Sequence, residues 1–136
     1  MIVFIAMKVP RADKELRLAA DRLSATVKST GHQPFLATDE IVQRSLTDPK
    51  EFMPFVRQNL QDADLLILLN HPDLRGGLIE AGMAYAWEIP IWLCHKPGER
   101  VSSSMRGCVD VTIEYESLED LEKKILVQIC KIVPKG

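Results

Sequence analysis

The chain lacks the features that identify several large classes of protein from sequence. None of its apolar runs approaches the ~18 residues that a membrane-spanning helix needs, so we expect no membrane partner. It has no lysine- or arginine-rich run and a formal net charge of -2, so we expect no nucleic-acid partner. The apolar segment 1–7 has neither a basic lead nor a cleavage site, so we expect no signal peptide.

Cysteine and histidine are also scarce. The three cysteines, Cys94, Cys108 and Cys130, are scattered and odd in number, which predicts reduced thiols in a cytoplasmic protein. Cysteines and histidines show no metal-ligand spacing, so no metal is predicted. No cofactor is predicted either. Cys94 and His95 are neighbours, but adjacent strand residues point to opposite faces, which disfavours a metal site or a nucleophile pair there.

The turn after the first apolar run, residues 7–14, contains no glycine. A dinucleotide-binding fingerprint and a phosphate-binding P-loop both require glycines in that turn, so both are excluded. A phosphoacceptor receiver domain would carry an aspartate at the end of its third strand. This chain has Leu69, Asn70 and His71 there, which argues against a receiver domain.

The composition is that of a globular domain, with 136 residues of which 46% are hydrophobic and 26% charged, so we expect one domain spanning 1–136. Apolar runs at 2–6, 65–69 and 89–94 predict buried strands, and 34–37 and 109–113 predict weaker ones. Helical signals run from Leu16 to Val27, from Pro49 to Leu60, onward from Leu78, and from Leu118 to Ile132. We interpret 38–47 as a polar connection whose form the sequence leaves open, and 96–108 as a long loop.

This order of elements predicts an α/β fold. Parallel strands need crossover connections, and these are right-handed. We therefore expect a single-domain, flavodoxin-like or Rossmann-like three-layer sandwich with a five-stranded parallel sheet in the order 2-1-3-4-5. In such sheets ligands bind at the carboxyl ends of the strands, here in the crevice between strands 1 and 3.

The segment 64–94 combines two buried strands, a glycine loop and a helix, and it contains the candidate site. We expect the helix to begin near Leu78 and to carry Glu80 in its first turn. One interpretation makes Glu80 a solvated acid that stabilises the helix N-terminus by ~0.3–1 kcal/mol. The other makes it a carboxylate nucleophile that the helix dipole and nearby amides hold ionised.

The same segment resembles the nucleoside 2-deoxyribosyltransferase family, which includes deoxynucleoside 5′-monophosphate N-glycosidases. Ala63-Asp64, Gly76-Gly77 and the Glu-x-Gly-x-Ala pattern at 80–84 match the family's order, as does Ile89-Pro90-Ile91. The sequence SSSMRG at 102–107 is similar to the serine-rich loop of the glycosidases.

The resemblance implies that Glu80 attacks C1′ of a nucleoside or nucleotide substrate without any cofactor. It also implies a homodimer with shared active sites, in which Ser102, Ser103 or Ser104 of the neighbouring subunit contacts the 5′-phosphate. Lys8, Arg75 and Arg106 at the carboxyl edge suit a phosphate. The expected substrate-binding residues are Met7, Lys8, Asn70, Arg75, Gly76, Gly77, Ser102, Ser103, Ser104, Met105 and Arg106.

The chain departs from the family's pattern at three places. Residues 6–8 replace its phosphate-binding Gly-Ser, Leu78 replaces a glycine, and Val56 stands where an aspartate positions sugar and base. Two alternatives therefore stay open: an NAD-type N-glycoside hydrolase that uses the same glutamate, and a non-catalytic nucleotide-sensing or interaction domain on the same fold.

Overall fold

In the computed structural model, which describes residues 1–132, five strands alternate with six helices. The strands are β1 (Ile2–Ala6), β2 (Gln33–Leu36), β3 (Leu65–Leu69), β4 (Ile91–His95) and β5 (Val111–Glu114). The helices are α1 (Lys14–Ser29), α2 (Ala37–Gln43), α3 (Pro49–Gln61), α4 (Gly76–Ala86), α5 (Ser103–Cys108) and α6 (Leu118–Lys131). All strands pair in parallel in the order β2-β1-β3-β4-β5, which confirms the predicted fold and strand order.

Alternating side chains on the central strands divide the interior into two cores. Val3 and Ile5 of β1 pack with apolar residues of α1 and α6 on one face of the sheet. Phe4 and Ala6 pack with residues of α2, α3 and α4 on the other face, and this cluster is the second core. Every residue of β3 is buried, as expected for a central parallel strand that is covered on both faces.

Capping residues set the helix starts as the sequence predicts. Asp48 accepts a hydrogen bond from the backbone N–H of Lys50 at 2.9 Å, and Pro49 occupies the first position of α3. At α6, Ser117 Oγ accepts from the N–H of Asp120 at 3.1 Å. Both predicted starts are confirmed.

Two predicted connections are partly helical. The form of 38–47 was left open by the sequence, and the structure places α2 there, directly after β2, with acidic residues in its first turn and with Ile41 packed against the second core. The prediction of a loop over 96–108 holds only for its first half. The second half forms α5, which begins where Ser102 Oγ accepts a hydrogen bond from the N–H of Met105 at 3.1 Å. Within residues 1–132, no helix has the length and apolar composition to cross a membrane.

Candidate active site

A cavity of about 580 Å³ opens at the carboxyl edge of the sheet. Its lining comes from the segments that follow β1, β2 and β3, and from α3 and α4. This is the predicted crevice, because β1 and β3 flank the point at which the strand order reverses. Its volume lies within the ~300–1,000 Å³ typical of small-molecule sites. We call it the Glu80 cavity, after the carboxyl group that lines it.

One side of the Glu80 cavity is apolar. Residues of α2 and α3 form this apolar wall, which consists of Ile41, Val42, Phe52, Met53 and Val56. Val56 is only 1% exposed, and it stands where the family that this sequence resembles has an aspartate. The wall therefore offers packing surface for a flat apolar group, and no hydrogen bond.

The helix that holds Glu80 begins earlier than predicted. α4 starts at Gly76 instead of near Leu78, so Glu80 lies in its second turn and the predicted first-turn position is wrong. Gly77 explains the difference, because the missing side chain lets the first turn of α4 lie directly on Leu74 and on Leu68 of β3. The helix therefore includes both glycines that the sequence assigns to a loop.

The carboxyl group of Glu80 is buried and unpaired. The residue is 9% exposed, and its Oε2 atom has no hydrogen-bond partner among the described residues. Burial raises the pKa of Glu80 to about 8. Burial therefore opposes the ionised state that the helix dipole and nearby amides were expected to favour. In the ligand-free protein at neutral pH, this carboxyl group is mostly protonated.

Thr38 is a site residue that the sequence analysis missed. Thr38 lines the Glu80 cavity, and its Oγ1 atom is the other buried side-chain oxygen without a partner in residues 1–132. The available signal was a polar residue directly after a strand, at the carboxyl edge. Because the form of 38–47 was left open, Thr38 could not be placed relative to Glu80.

Three cations lie at the mouth of the Glu80 cavity. Lys8 Nζ is 3.8 Å from the carboxylate of Asp73, and Arg75 donates a hydrogen bond to the carbonyl oxygen of Leu74 at 3.2 Å. Arg11 lies nearby in an exposed loop with a positive φ of 47°. Of the predicted binding residues, Met7, Lys8, Arg75, Gly76 and Gly77 share the cavity with Glu80.

Asn70 lies apart from these residues. Its side chain donates to Glu99 at 3.4 Å and lines a smaller cavity of about 100 Å³, which Tyr115 and Leu16 also line. Leu16 and Tyr115 belong to the core on the α1 and α6 face, so this cavity lies on that side of the sheet. Within one chain, the structure does not bring Asn70 to the Glu80 cavity.

The serine-rich segment also lies outside the Glu80 cavity of its own chain. Ser103, Ser104 and Arg106 of α5 are exposed, and Ser102 caps that helix. Met105 is half-buried and packs against the second core. This segment has no role in the cavity of its own chain.

Cys94, the cysteine next to His95, is not a reactive thiol. Cys94 is completely buried, and burial raises the pKa of its thiol to about 12, so it stays protonated. In the part of the chain that the structure describes, no group of three or more His, Cys, Asp or Glu side chains is arranged to hold a metal ion.

Comparisons with known proteins agree on the fold. No family model matches the sequence, and no curated protein matches it. The chain is similar to the CMP N-glycosidase of Clostridium botulinum, with a TM-score of 0.77 and 18% identity over 94% of this chain and 99% of that one. A 2-deoxyribosyltransferase from Bacillus psychrosaccharolyticus matches with a TM-score of 0.70 and 17% identity over 90% of each chain.

A conserved protein from Enterococcus faecalis matches with a TM-score of 0.70 and 17% identity over 94% of this chain and 98% of that one. The chain therefore has the three-layer α/β fold that an N-glycosidase and a deoxyribosyltransferase share. The predicted resemblance to nucleoside 2-deoxyribosyltransferases extends over nearly the whole chain.

Proposed function

We propose that this protein cleaves or transfers the N-glycosidic bond of a nucleoside, deoxynucleoside or nucleoside 5′-monophosphate, with Glu80 as the nucleophile. The main supporting observation is the buried, unpaired carboxyl group of Glu80 in a cavity of about 580 Å³ at the carboxyl edge of the sheet. Two proteins of the same fold are an N-glycosidase and a 2-deoxyribosyltransferase.

The reaction has two steps. A carboxylate oxygen of Glu80 bonds to C1′ while the C1′–N bond breaks, through an oxocarbenium-like transition state. The base leaves with the bonding electron pair and takes a proton from water. Water or a second base then attacks C1′, the C1′–O bond to Glu80 breaks, and the carboxylate is regenerated. The attacking group loses a proton to the hydroxide left by the first step; water gives the free sugar, and a second base gives a new nucleoside.

The surroundings of Glu80 suit this chemistry. The apolar wall excludes water from the base and packs against its faces, and a poorly hydrated carboxylate interacts strongly with positive charge that develops at C1′. Because burial raises the pKa of Glu80 to about 8, only the ionised fraction of the enzyme reacts, and that fraction grows with pH.

The cations at the cavity mouth point to a substrate with a phosphate. Lys8, Arg11 and Arg75 line the same cavity as Glu80 in a protein whose net charge is -2. Each supplies donors for charge-assisted hydrogen bonds to phosphate oxygens. These cations compensate for the missing phosphate-binding Gly-Ser, which the family that this sequence resembles carries after its first strand.

The assembly we propose is a homodimer with shared active sites. Ser103 and Ser104 are exposed and do not line the cavity of their own chain. On the neighbouring helix α4, Leu78, Ile79 and Tyr85 are 47%, 57% and 58% exposed, which gives an uncovered apolar face. A two-fold contact over this face would bring the serines of one subunit towards the partner's Glu80.

A nucleotide sensor is the second candidate. Val56 replaces the aspartate of the family that this sequence resembles, and a protonated Glu80 is a poor nucleophile. A cavity with both features would bind a nucleotide without cleaving it. An NAD-type hydrolase would use the same glutamate on a larger substrate.

One panel separates these functions. Ribo- and deoxynucleosides, their 5′-monophosphates and NAD are incubated with the protein, and base release is followed by chromatography. We expect release from at least one nucleoside or monophosphate, and its loss in Glu80→Gln. Glu88→Gln, which changes an exposed carboxylate beyond the end of α4, is the matched control and should retain activity. Nucleotide binding without base release would favour the sensor.

A further inference from the structure

Two residues that line the same cavity each have a buried side-chain oxygen without a hydrogen-bond partner in residues 1–132. Within residues 1–132, Glu80 Oε2 and Thr38 Oγ1 are the buried side-chain oxygens that form no hydrogen bond, and both residues line the Glu80 cavity. The proposed reaction uses Glu80 and gives Thr38 no role. A buried hydroxyl without a partner has lost its hydrogen bonds to water and gained none in return. A ligand that bonds to both groups would remove that deficit.

The sheet sets the separation of the two groups. Thr38 follows β2, and Glu80 lies on the helix that follows β3, with β1 between these strands. Two interstrand spacings, roughly 10 Å in total, therefore separate the two strand ends. A ligand that meets both oxygens lies across the end of β1, where Met7 and Lys8 also line the cavity.

We propose that Thr38 is a substrate-binding residue that forms a hydrogen bond with the far edge of the substrate's base, and that it accepts amino and keto bases alike. This inference rests on the proposed function, which places C1′ of the sugar at Glu80. The base then extends from C1′ along the apolar wall towards Thr38. Ile41 lies three residues after Thr38 on the same face of α2 and lines the path of the base.

The chemistry of a hydroxyl explains the expected tolerance. A threonine hydroxyl rotates, so it donates to a keto oxygen or accepts from an amino group. Among the described residues that line the cavity, Thr38 has the one side chain that hydrogen-bonds without an ionisable group. The other polar side chains of the lining carry ionisable groups: Lys8, Arg11, Asp73, Arg75 and Glu80.

Cytidine and uridine 5′-monophosphate test this inference, because their bases differ by an amino and a keto group at one position. Binding is measured by calorimetry in the Glu80→Gln background, where no cleavage is expected. We expect Glu80→Gln to bind both nucleotides with affinities within about tenfold of each other. The double variant Glu80→Gln/Thr38→Val should bind each nucleotide about tenfold more weakly than Glu80→Gln alone. Thr38→Ser keeps the hydroxyl and should retain most of the affinity.

Two further measurements make the outcome decisive. Thr38→Val removes a hydroxyl that has no partner in the folded chain, so thermal unfolding should show no loss of stability. In the otherwise wild-type protein, base release from both nucleotides should fall in parallel. An effect on one nucleotide only, or on neither, overturns the role of Thr38 while base release upholds the proposed function. If neither nucleotide binds or is cleaved, the role of Thr38 is overturned, whereas the proposed function fails only if no nucleoside or monophosphate of the wider panel releases its base.

Discussion

Gly77 packs so closely on Leu74 that a Cβ atom on the glycine would lie 2.7 Å from the Cδ1 atom of the leucine. The same Cβ would lie 3.0 Å from Cδ1 of Leu68. Both leucines are buried in the second core, where neighbouring side chains restrict their movement. The first turn of α4, and with it the position of Glu80, therefore depends on a glycine at 77.

Alanine substitutions at the two adjacent glycines should have opposite effects. Gly77→Ala should destabilise the protein by about 1–3 kcal/mol, because its methyl group overpacks the core. Gly76→Ala is the matched control, since a Cβ there would meet only Glu80 Oε1, at 3.9 Å. Alanine favours the helix by up to about 1 kcal/mol over glycine, so this variant should be as stable as the parent or more so. Equal losses in chemical denaturation would contradict this account.

The strand order was predictable because it depends on local patterns. Short apolar runs at β1, β3 and β4 identified buried parallel strands, and Asp48 with Pro49 identified the start of α3. The start of α4 was not predictable in this way. It depends on the fit of Gly77 against Leu74 and Leu68, a contact that no periodicity in the sequence reveals.

The burial of Glu80 was not predictable for a related reason. Its position near a helix N-terminus suggested an ionised carboxylate, whereas its pKa depends on burial by distant segments. Part of the cavity lining comes from α2 and α3, including Ile41 and Phe52, and the sequence left the form of the α2 segment open. Asn70 shows the same limit, because its place at a strand end did not reveal that its side chain bonds to Glu99 on the other side of the sheet.

Burial of Glu80 predicts a pH-dependent penalty on stability. Its pKa rises from 4.5 to about 8 on folding, so between these values the folded protein binds more protons than the unfolded chain. The stability contribution of Glu80 therefore falls as pH rises from about 4.5 to about 8, and is constant above that range. The difference corresponds to at most about 5 kcal/mol. Glu80→Gln, which does not ionise, should gain stability relative to the parent over this window.

Urea denaturation of both proteins at pH 4, 6 and 9 checks this prediction. Subtracting the two curves removes the contributions of the other titrating groups, which the variants share. A stability difference that does not change with pH would show that Glu80 is ionised normally in the folded protein.

The same pKa predicts the pH dependence of base release. If ionised Glu80 is the nucleophile, kcat/KM should rise about tenfold per pH unit below its pKa and level off near pH 8. Stability should be followed in parallel, so that unfolding at the extremes is not mistaken for titration. A rate that falls through the same range would identify Glu80 as a proton donor instead.

The cavity cations should distinguish nucleotides from nucleosides. Removing a charge-assisted hydrogen bond should lower kcat/KM for a 5′-monophosphate about tenfold or more. Lys8→Ala and Arg75→Ala should show this loss, with a much smaller effect on the matching nucleoside. Lys28→Ala, in the last turn of α1 at the opposite edge of the sheet, is the control and should change neither rate. Equal losses for both substrates would argue against a phosphate site.

Shared active sites can be tested by mixing two inactive proteins. Ser102 should be kept, because its Oγ caps α5, whereas Ser103 and Ser104 are exposed and can be changed without loss of that cap. We expect Ser103→Ala/Ser104→Ala and Glu80→Gln each to have little activity on a 5′-monophosphate. Co-expression or refolding of the two together should restore activity above that of either alone.

The recovery follows from the geometry of a two-fold dimer with shared sites. In a mixed dimer, one site combines the intact Glu80 of the serine variant with the intact serines of the glutamate variant. The other site has both defects. If each chain instead formed a complete site by itself, every site in the mixture would keep one defect, and mixing would restore nothing. Full activity of the serine variant alone would exclude a role for Ser103 and Ser104, and a monomer at micromolar concentration would exclude the shared site itself.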